Sequence, residues 1–146
     1  MALTLIDTNV LPRLLQPRHP QYSIASTVLA KLRDRGADLC IAPQNLVEFW
    51  VVATRPVVNN GLGISPLTIA GEVHALNVLF RLLEGKPGVA SAWETLAGKH
   101  LVSGKQAHDA HLVAVMPVHA VTHILTFNIA DFQRYPGITA LDPAQF

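Results

Sequence analysis

The sequence is short of cysteine and of charged side chains. Its 146 residues include one cysteine, Cys40, which excludes an internal disulfide framework and a four-cysteine zinc site. Only 14% of the residues are charged, whereas 50% are hydrophobic. Disordered chains show the opposite balance, so we expect a folded protein with a substantial core. The length predicts a single domain over residues 1–146.

Long apolar runs and a strong net charge are also missing. No stretch reaches the roughly 18 consecutive apolar residues of a transmembrane helix, so we expect no membrane span. No basic residue precedes Asp7, which argues against a secretory signal peptide, and we expect a cytoplasmic protein. The formal net charge of +1 lacks the basic excess that is typical of nucleic-acid-binding domains.

The chain does contain short apolar runs, and these alternate with stretches whose apolar residues have helical spacing. The runs predict strands at residues 3–6, 39–42, 122–126 and 138–141, and a very short one at 89–90. Helical spacing and end signals predict helices at residues 8–16, 21–35, 43–54, 66–83, 91–101 and 106–116. This order predicts an α/β domain with a central, mostly parallel sheet of four or five short strands.

Four of the ten carboxylates stand near predicted strand ends or early in helices. Asp7 directly follows the first strand, and Glu48 lies one to two turns into the helix after the second strand. Asp109 lies early in the last long helix, and Asp131 follows the strand at 122–126. In open parallel sheets, ligands bind beyond the carboxyl ends of the strands, so these four side chains can converge there.

Such a cluster of carboxylates favours a bound cation. Like charges repel, and removing a charge from water is costly unless it is paired or bound to metal. Oxygen ligands suit Mg²⁺ or Mn²⁺. An ion of this kind can activate water and stabilise a phosphodiester displacement.

Taken singly, three of the acids also have a structural explanation. Asp7, with Asn9, can cap a helix, and Asp109 can lie in a first helical turn where the dipole favours an acid. Asp131 can cap a short turn. Glu48 lies within an apolar stretch, where an unpaired acid is rare.

Five segments together carry a family resemblance. They are LIDTNV at 5–10, NLVEFW at 45–50, GKQAHDA at 104–110, LTFNIADF at 125–132 and RYPGI at 134–138. In this order and spacing the chain resembles the PIN-domain ribonucleases, most closely the VapC-like toxins of type II toxin–antitoxin systems. The resemblance implies a PIN-like three-layer α/β/α sandwich and a Mg²⁺-dependent (or Mn²⁺-dependent) endoribonuclease.

The resemblance also implies roles for the acids. Asp7, Glu48 and Asp109 match the first three acids of the family's quartet, but the fourth position falls on Asn128, where many members carry Asp. Asp131, three residues later, is a candidate for the missing carboxylate. Asp7, Asp109 and either Asn128 or Asp131 are then expected to hold the metal, while Glu48 orients a metal-bound water or supports a second ion.

Neighbouring polar residues are candidates for binding the substrate, RNA. Thr8, Asn9 and Thr126 adjoin the matched positions and can place a ligand or a water. Lys105 and His108 can contact RNA phosphates, although a solvated surface position also explains them. Setting Asp7, Glu48 and Asp109 aside as a metal-bound group leaves +4 on the remaining chain, which is compatible with RNA.

Partners and alternatives complete these expectations. The resemblance implies a cognate antitoxin lying over the active-site groove and a homodimer. The helices at 21–35 and 43–54 have wide apolar faces that can provide a partner site.

The uncharged Asn128 also fits a degenerate, non-catalytic PIN-like module that binds RNA or protein. A phosphatase with Asp7 as nucleophile is disfavoured, because Asn9 stands where such enzymes commonly carry a second acid.

Overall fold

The computed structural model describes residues 3–146 as a sheet flanked by helices. The strands are β1 (Leu3–Ile6), β2 (Asp38–Ile41), β3 (Arg81–Leu82), β4 (His123–Leu125) and β5 (Thr139–Leu141). The α-helices are α1 (Tyr22–Asp34), α2 (Pro43–Thr54), α3 (Pro66–Leu79), α4 (Val89–Lys99) and α5 (Gln106–Val118). Short 3₁₀ helices cover Thr8–Leu15, Val57–Asn59, Ile129–Asp131 and Pro143–Gln145.

The five strands form one parallel sheet in the order β3-β2-β1-β4-β5. The central strand β1 pairs with β2 and β4, where Leu5 faces Cys40 on one side and Ile124 on the other. Because every pair is parallel, the carboxyl ends of all strands meet at the same edge. The predicted α/β fold with a parallel sheet is confirmed.

Two apolar layers cover the two faces of this sheet. Alternate residues of a strand point to opposite faces, and Ile6 accordingly packs with α1, α2 and α3, whereas Leu5 packs with α5. The first layer centres on Phe49 and the second on Met116, both buried. The result is the predicted three-layer α/β/α sandwich.

The structure corrects the predictions between residues 79 and 91. Helix α3 ends at Leu79 rather than at residue 83, because Phe80 turns into an extended conformation and β3 pairs with β2. Residues 89–90 are not a strand but the first turn of α4, which follows Gly88 in the left-handed conformation. Ser91 therefore lies inside this helix rather than capping it.

Local sequence explains most other boundaries. The first helix is a 3₁₀ helix with Pro12 inside it, a residue that lacks the N–H needed for continuous α-helical bonding. Pro43 begins α2, and the Ser65 hydroxyl caps α3 by accepting from the Thr68 N–H at 3.2 Å. None of the helices in residues 3–146 has the length and apolar character required to cross a bilayer.

Candidate active site

Asp7 lies at the carboxyl edge of the sheet, where β1 passes into the first 3₁₀ helix. It is 7% exposed. Its Oδ1 accepts a hydrogen bond from the Thr8 N–H at 2.8 Å, and its Oδ2 accepts from the Thr126 hydroxyl at 2.8 Å. Asp7 is thus a helix cap as well as a candidate ligand, and the two interpretations of this residue are compatible.

Glu48 reaches the same edge from α2 and is held by polar neighbours. Its Oε1 accepts a hydrogen bond from the Thr8 hydroxyl at 2.8 Å and from Gln44 Nε2 at 3.4 Å. Thr8 is itself fixed by the buried Asn45, whose Nδ2 donates to Thr8 Oγ1 at 3.0 Å. Asn45 Oδ1 in turn accepts from the Ala42 N–H at 2.8 Å.

Asp109 and Asp131 complete a group of four carboxylates that influence one another. Burial, more than any other effect, raises the pKa of Asp7 to about 6, and Glu48 and Asp131 raise it further against the lowering by its two hydrogen bonds. Burial likewise raises the pKa of Asp109 to about 7, with additional contributions from the charges of Asp7, Asp131 and Glu48. We refer to Asp7, Glu48, Asp109 and Asp131 as the acidic cluster.

Protein cations compensate the acidic cluster only weakly. Among residues 3–146, the only basic side chain within 4 Å of a carboxylate of the acidic cluster is that of His108, whose Nδ1 lies 3.9 Å from Glu48 Oε2. Arg134 acts on Asp109 from a greater distance and lowers its pKa, while its guanidinium donates to Gln106 Oε1 and to the His100 carbonyl. Four mutually repelling carboxylates with so little pairing are a donor set that suits a hard cation.

The carboxylates of the acidic cluster do not form a closed coordination site. In the described part of the chain, no three His, Cys, Asp or Glu side chains are close enough to bind one ion directly. Mg²⁺ dehydrates reluctantly and is commonly held by one or two carboxylates, with water in the other positions. The open arrangement of the acidic cluster therefore still fits this ion.

The two candidates for the fourth position differ in their surroundings. Asp131, on the 3₁₀ helix Ile129–Asp131, contributes to the raised pKa of both Asp7 and Asp109. Asn128 is exposed, and its backbone N–H donates to Thr126 Oγ1 at 3.0 Å. Of these two candidates, Asp131 is thus the one that adds negative charge near Asp7 and Asp109.

The predicted substrate-binding residues fall into two groups. Asn9 and Thr126 are engaged in the scaffold, because Asn9 Nδ2 donates to Thr126 Oγ1 at 3.2 Å and Asn9 Oδ1 accepts from the Phe127 N–H at 3.2 Å. Thr8 is also engaged, through Asn45 and Glu48. Lys105 and His108 are exposed at the start of α5, so they are the two that remain open to a ligand.

Sequence reasoning missed three residues that organise this region: Gln44, Asn45 and His111. Gln44 Nε2 donates to the His108 carbonyl at 2.8 Å, which ties α2 to α5, and Gln44 Oε1 contacts His111 Nδ1. Asn45, in the third helical position after Ala42, had a detectable signal, since a polar side chain there can reach back to the backbone before the helix. Gln44 and His111 had none, because their contact joins residues 67 positions apart.

Comparison with known proteins gives a family and a set of similar folds. The PIN domain family matches residues 4–138. No curated protein matches the chain in sequence. Among solved structures, DNA-bound VapBC from Salmonella typhimurium has 18% identity and a TM-score of 0.70, covering 98% of this chain and 99% of that chain.

Two further structures are similar in the same way. VapBC2 from Rickettsia felis, bound to a DNA fragment from its promoter, has 14% identity and a TM-score of 0.68, covering 96% of this chain and 98% of that chain. VapC20 from Mycobacterium tuberculosis, a sarcin–ricin loop cleaving toxin, has 16% identity and a TM-score of 0.59, covering 83% and 86%. At these identities the likeness is one of fold.

Proposed function

The chain belongs to the PIN domain family, and on that premise we propose that it is a metal-dependent endoribonuclease acting as the toxin of a toxin–antitoxin pair. The observation that carries the proposal is the acidic cluster at the carboxyl edge of the sheet, where burial and, after it, the neighbouring carboxylates raise the pKa values of Asp7 and Asp109. The similar structures support the choice of RNA, since VapC20 is described as cleaving the sarcin–ricin loop.

In this proposal Asp7, Asp109 and Asp131 would hold Mg²⁺ or Mn²⁺, in part through water molecules between the carboxylates and the ion. When bound, such an ion stabilises negative charge on a phosphodiester and makes water a better nucleophile. Glu48, fixed by Thr8 and Gln44, accepts a hydrogen bond from the water that attacks the phosphate. Lys105 and His108, exposed beside the cluster, contact the RNA backbone.

The direct test is RNA cleavage by the purified protein. We expect cleavage of a mixed RNA pool with Mg²⁺ or Mn²⁺, none with EDTA, and none by Asp7→Ala. Glu94→Gln, a change of an exposed carboxylate on α4, is the matched control and should cleave as the wild type does. Equal cleavage by wild type and Asp7→Ala, or RNA binding without cleavage by both, would contradict a nuclease and favour a binding module.

The same assay separates the two candidates for the fourth position. We expect Asp131→Ala to lower the cleavage rate at least tenfold, because it removes a charge that acts on Asp7 and Asp109. We expect Asn128→Ala to have a much smaller effect, because that side chain is exposed and uncharged. The opposite ranking would assign the position to Asn128.

We also propose an antitoxin partner for the outer face of α2. Val47 and Val51 are 64% and 49% exposed, and with Leu46, Trp50 and Val73 they line a shallow apolar cavity of about 280 Å³. The apolar residues of α1 are instead mostly buried, so of the two helices predicted to provide a partner site α2 is the one that leaves large apolar side chains exposed. A toxin acting on RNA would work in the cytoplasm. The expected homodimer stays a prediction.

A change on this face tests the partner. We expect a neighbouring reading frame to encode a small antitoxin, and co-expression with that protein should give a complex that survives purification. Val51→Glu, which places a charge in the apolar cavity, should weaken that complex, whereas Thr27→Glu on the exposed side of α1 should not. A complex equally stable in both variants would place the partner elsewhere.

A further inference from the structure

A second cavity adjoins the acidic cluster on the side of α4 and α5. It has a volume of about 370 Å³ and is lined by Gln44, Trp93, Ala107, His108 and His111. This volume is within the roughly 300–1,000 Å³ of small-molecule sites. The wall residue His108 precedes Asp109 in sequence and approaches Glu48 at 3.9 Å, so the cavity opens beside the candidate reaction centre.

Trp93 gives this cavity a fixed aromatic surface. The residue is half-buried, and its indole N–H donates to the Ala107 carbonyl at 2.9 Å, which ties α4 to the start of α5. An indole held in this way loses little conformational entropy when a flat ligand stacks on it. Stacking on aromatic side chains is the usual way in which proteins bind unpaired bases.

Gln44 and His111 form the opposite wall of this cavity. Gln44 Nε2 donates to the His108 carbonyl at 2.8 Å, and Gln44 Oε1 contacts His111 Nδ1. Hydrogen bonds within the protein therefore hold both walls of the cavity in place.

We propose that this cavity binds one unpaired nucleobase of the RNA, beside the cleaved phosphate. The proposal rests on the proposed nuclease function for the identity of its ligand. Trp93 stacks on the base, and Gln44 and His111 form the wall that faces it.

Fluorescence of Trp93 tests base binding without any cleavage. The chain has two tryptophans, so Trp50→Phe leaves Trp93 as the single indole reporter. At pH 8 with Mg²⁺, and after correction for nucleotide absorbance, we expect saturable quenching by CMP and by UMP, but none by ribose 5-phosphate. Equal effects of CMP and ribose 5-phosphate, or no quenching by any nucleotide, would overturn the proposal.

Two variants on the Trp50→Phe background test the wall that faces Trp93. His111→Ala, which removes a side chain lining the cavity, should weaken the binding of CMP and UMP alike. His74→Ala, a change of an exposed histidine on α3, should bind both nucleotides as the parent does. Undiminished binding in His111→Ala would overturn the assignment of this cavity as the base site.

The preference for cleavage sites separates this proposal from the nuclease proposal. Trp93→Phe keeps an aromatic wall, whereas Trp93→Leu removes it, and circular dichroism checks that both are folded. We expect Trp93→Leu to lose about tenfold in RNA affinity and to cut with a changed base preference, while Trp93→Phe stays near wild type. If wild type shows no nuclease activity yet CMP quenches Trp93, the cavity stands and the nuclease proposal fails. If cleavage occurs with the same base preference in Trp93→Leu, the cavity proposal fails alone.

Discussion

At the scale of single residues, the carboxyl group of Asp109 acts against the stability of the fold. Its pKa is raised from 3.8 to about 7, first by burial and then by the other members of the acidic cluster. The folded protein therefore holds this proton more tightly than the unfolded chain does. The stability that this bound proton contributes is fully present below about pH 4 and is lost as the pH rises through about 7. Above that pH the ionised carboxylate destabilises the fold.

Asp109→Asn should consequently stabilise the protein while abolishing RNA cleavage. The amide has the same shape and carries no charge, so in EDTA at pH 8 we expect a gain on the order of 1 kcal/mol after allowance for solvent screening. That gain corresponds to a rise in Tm of about 2–4 °C, measured by thermal denaturation. The gain should shrink towards pH 4, and Glu94→Gln should show none. A destabilised Asp109→Asn protein at pH 8 would contradict the electrostatic explanation.

The sequence predicts the members of the acidic cluster but not the side chains that hold them in place. Asp7, Glu48, Asp109 and Asp131 are recognisable because charges are few and each follows a strand or begins a helix. The side chains that hold them come from distant positions: Thr126 bonds to Asp7 across 119 residues, and His111 contacts Gln44 across 67. Such pairings depend on how the chain folds back on itself, which local patterns do not encode.

At the scale of secondary-structure elements, Asn45 joins the start of α2 to the start of the 3₁₀ helix Thr8–Leu15. Its two hydrogen bonds, from the Ala42 N–H and to Thr8 Oγ1, connect the backbone before α2 with the residue that holds Glu48. Asn45→Ala leaves the buried Ala42 N–H without a partner, so we expect a loss of about 1–3 kcal/mol in the free energy of unfolding. Glu48 also loses its orientation, and the cleavage rate should fall in the fraction that is folded.

Chemical denaturation and cleavage assays at a temperature where the variant is folded measure the two effects. Thr54→Ala, at the far end of the same helix, removes a hydroxyl that donates to the Trp50 carbonyl in an exposed position. It should change both quantities little. A folded Asn45→Ala protein that cleaves RNA at the wild-type rate would show that Asn45 does not position Glu48.

Glycine is required in the connection between α2 and α3 but can be replaced within α3. A Cβ on Gly61 would lie 1.8 Å from the Arg55 carbonyl oxygen, so the backbone must shift. Gly61→Ala should therefore cost about 1–3 kcal/mol of stability. Gly71, in the middle of α3, has open space around it, and Gly71→Ala should stabilise by about 0.5–1 kcal/mol. Denaturant titration of both variants checks the contrast, and a similar change in the two would contradict it.

The elements themselves are largely predictable from sequence, with one informative failure. Strands β1, β2, β4 and β5 follow from short apolar runs, and Pro43 and Ser65 predict where α2 and α3 begin. Strand β3 has two residues, and it continues an apolar stretch that reads as helix. Its extended conformation comes from pairing with β2, where Cys40 faces Arg81 and Ile41 faces Leu82. A contact with a strand about 40 residues earlier leaves no local signal.

At the scale of the whole molecule, the topology concentrates negative charge at one edge of the sheet. β1 is central, and β4 is its neighbour, so Asp7 and the segment after β4 meet although they are far apart in sequence. α2 and α5, on opposite faces of the sheet, add Glu48 and Asp109. The net charge of +1 is therefore unevenly distributed: outside Asp7, Glu48 and Asp109 the chain carries +4. An acidic centre in a mildly basic surface is compatible with a metal ion at the centre and a polyanion around it.

This arrangement predicts that a divalent cation stabilises the whole molecule in a pH-dependent way. Mg²⁺ bound to the acidic cluster would link the first 3₁₀ helix, α5 and the 3₁₀ helix Ile129–Asp131. At a concentration about 100-fold above its dissociation constant, it should add about 2.7 kcal/mol, or roughly 5–10 °C in Tm.

Protons and Mg²⁺ compete for the same oxygens, so this gain should depend on pH. At pH 5 both Asp7, with a pKa of about 6, and Asp109, with a pKa of about 7, hold protons, whereas at pH 8 both are ionised and repel each other. We therefore expect Mg²⁺ to raise Tm clearly at pH 8 and little at pH 5, and EDTA to reverse the rise. Asp7→Ala and Asp109→Asn should lose the response, whereas Glu94→Gln should keep it. An equal rise at both pH values, or one that persists in Asp7→Ala, would mean that the ion binds somewhere other than the acidic cluster.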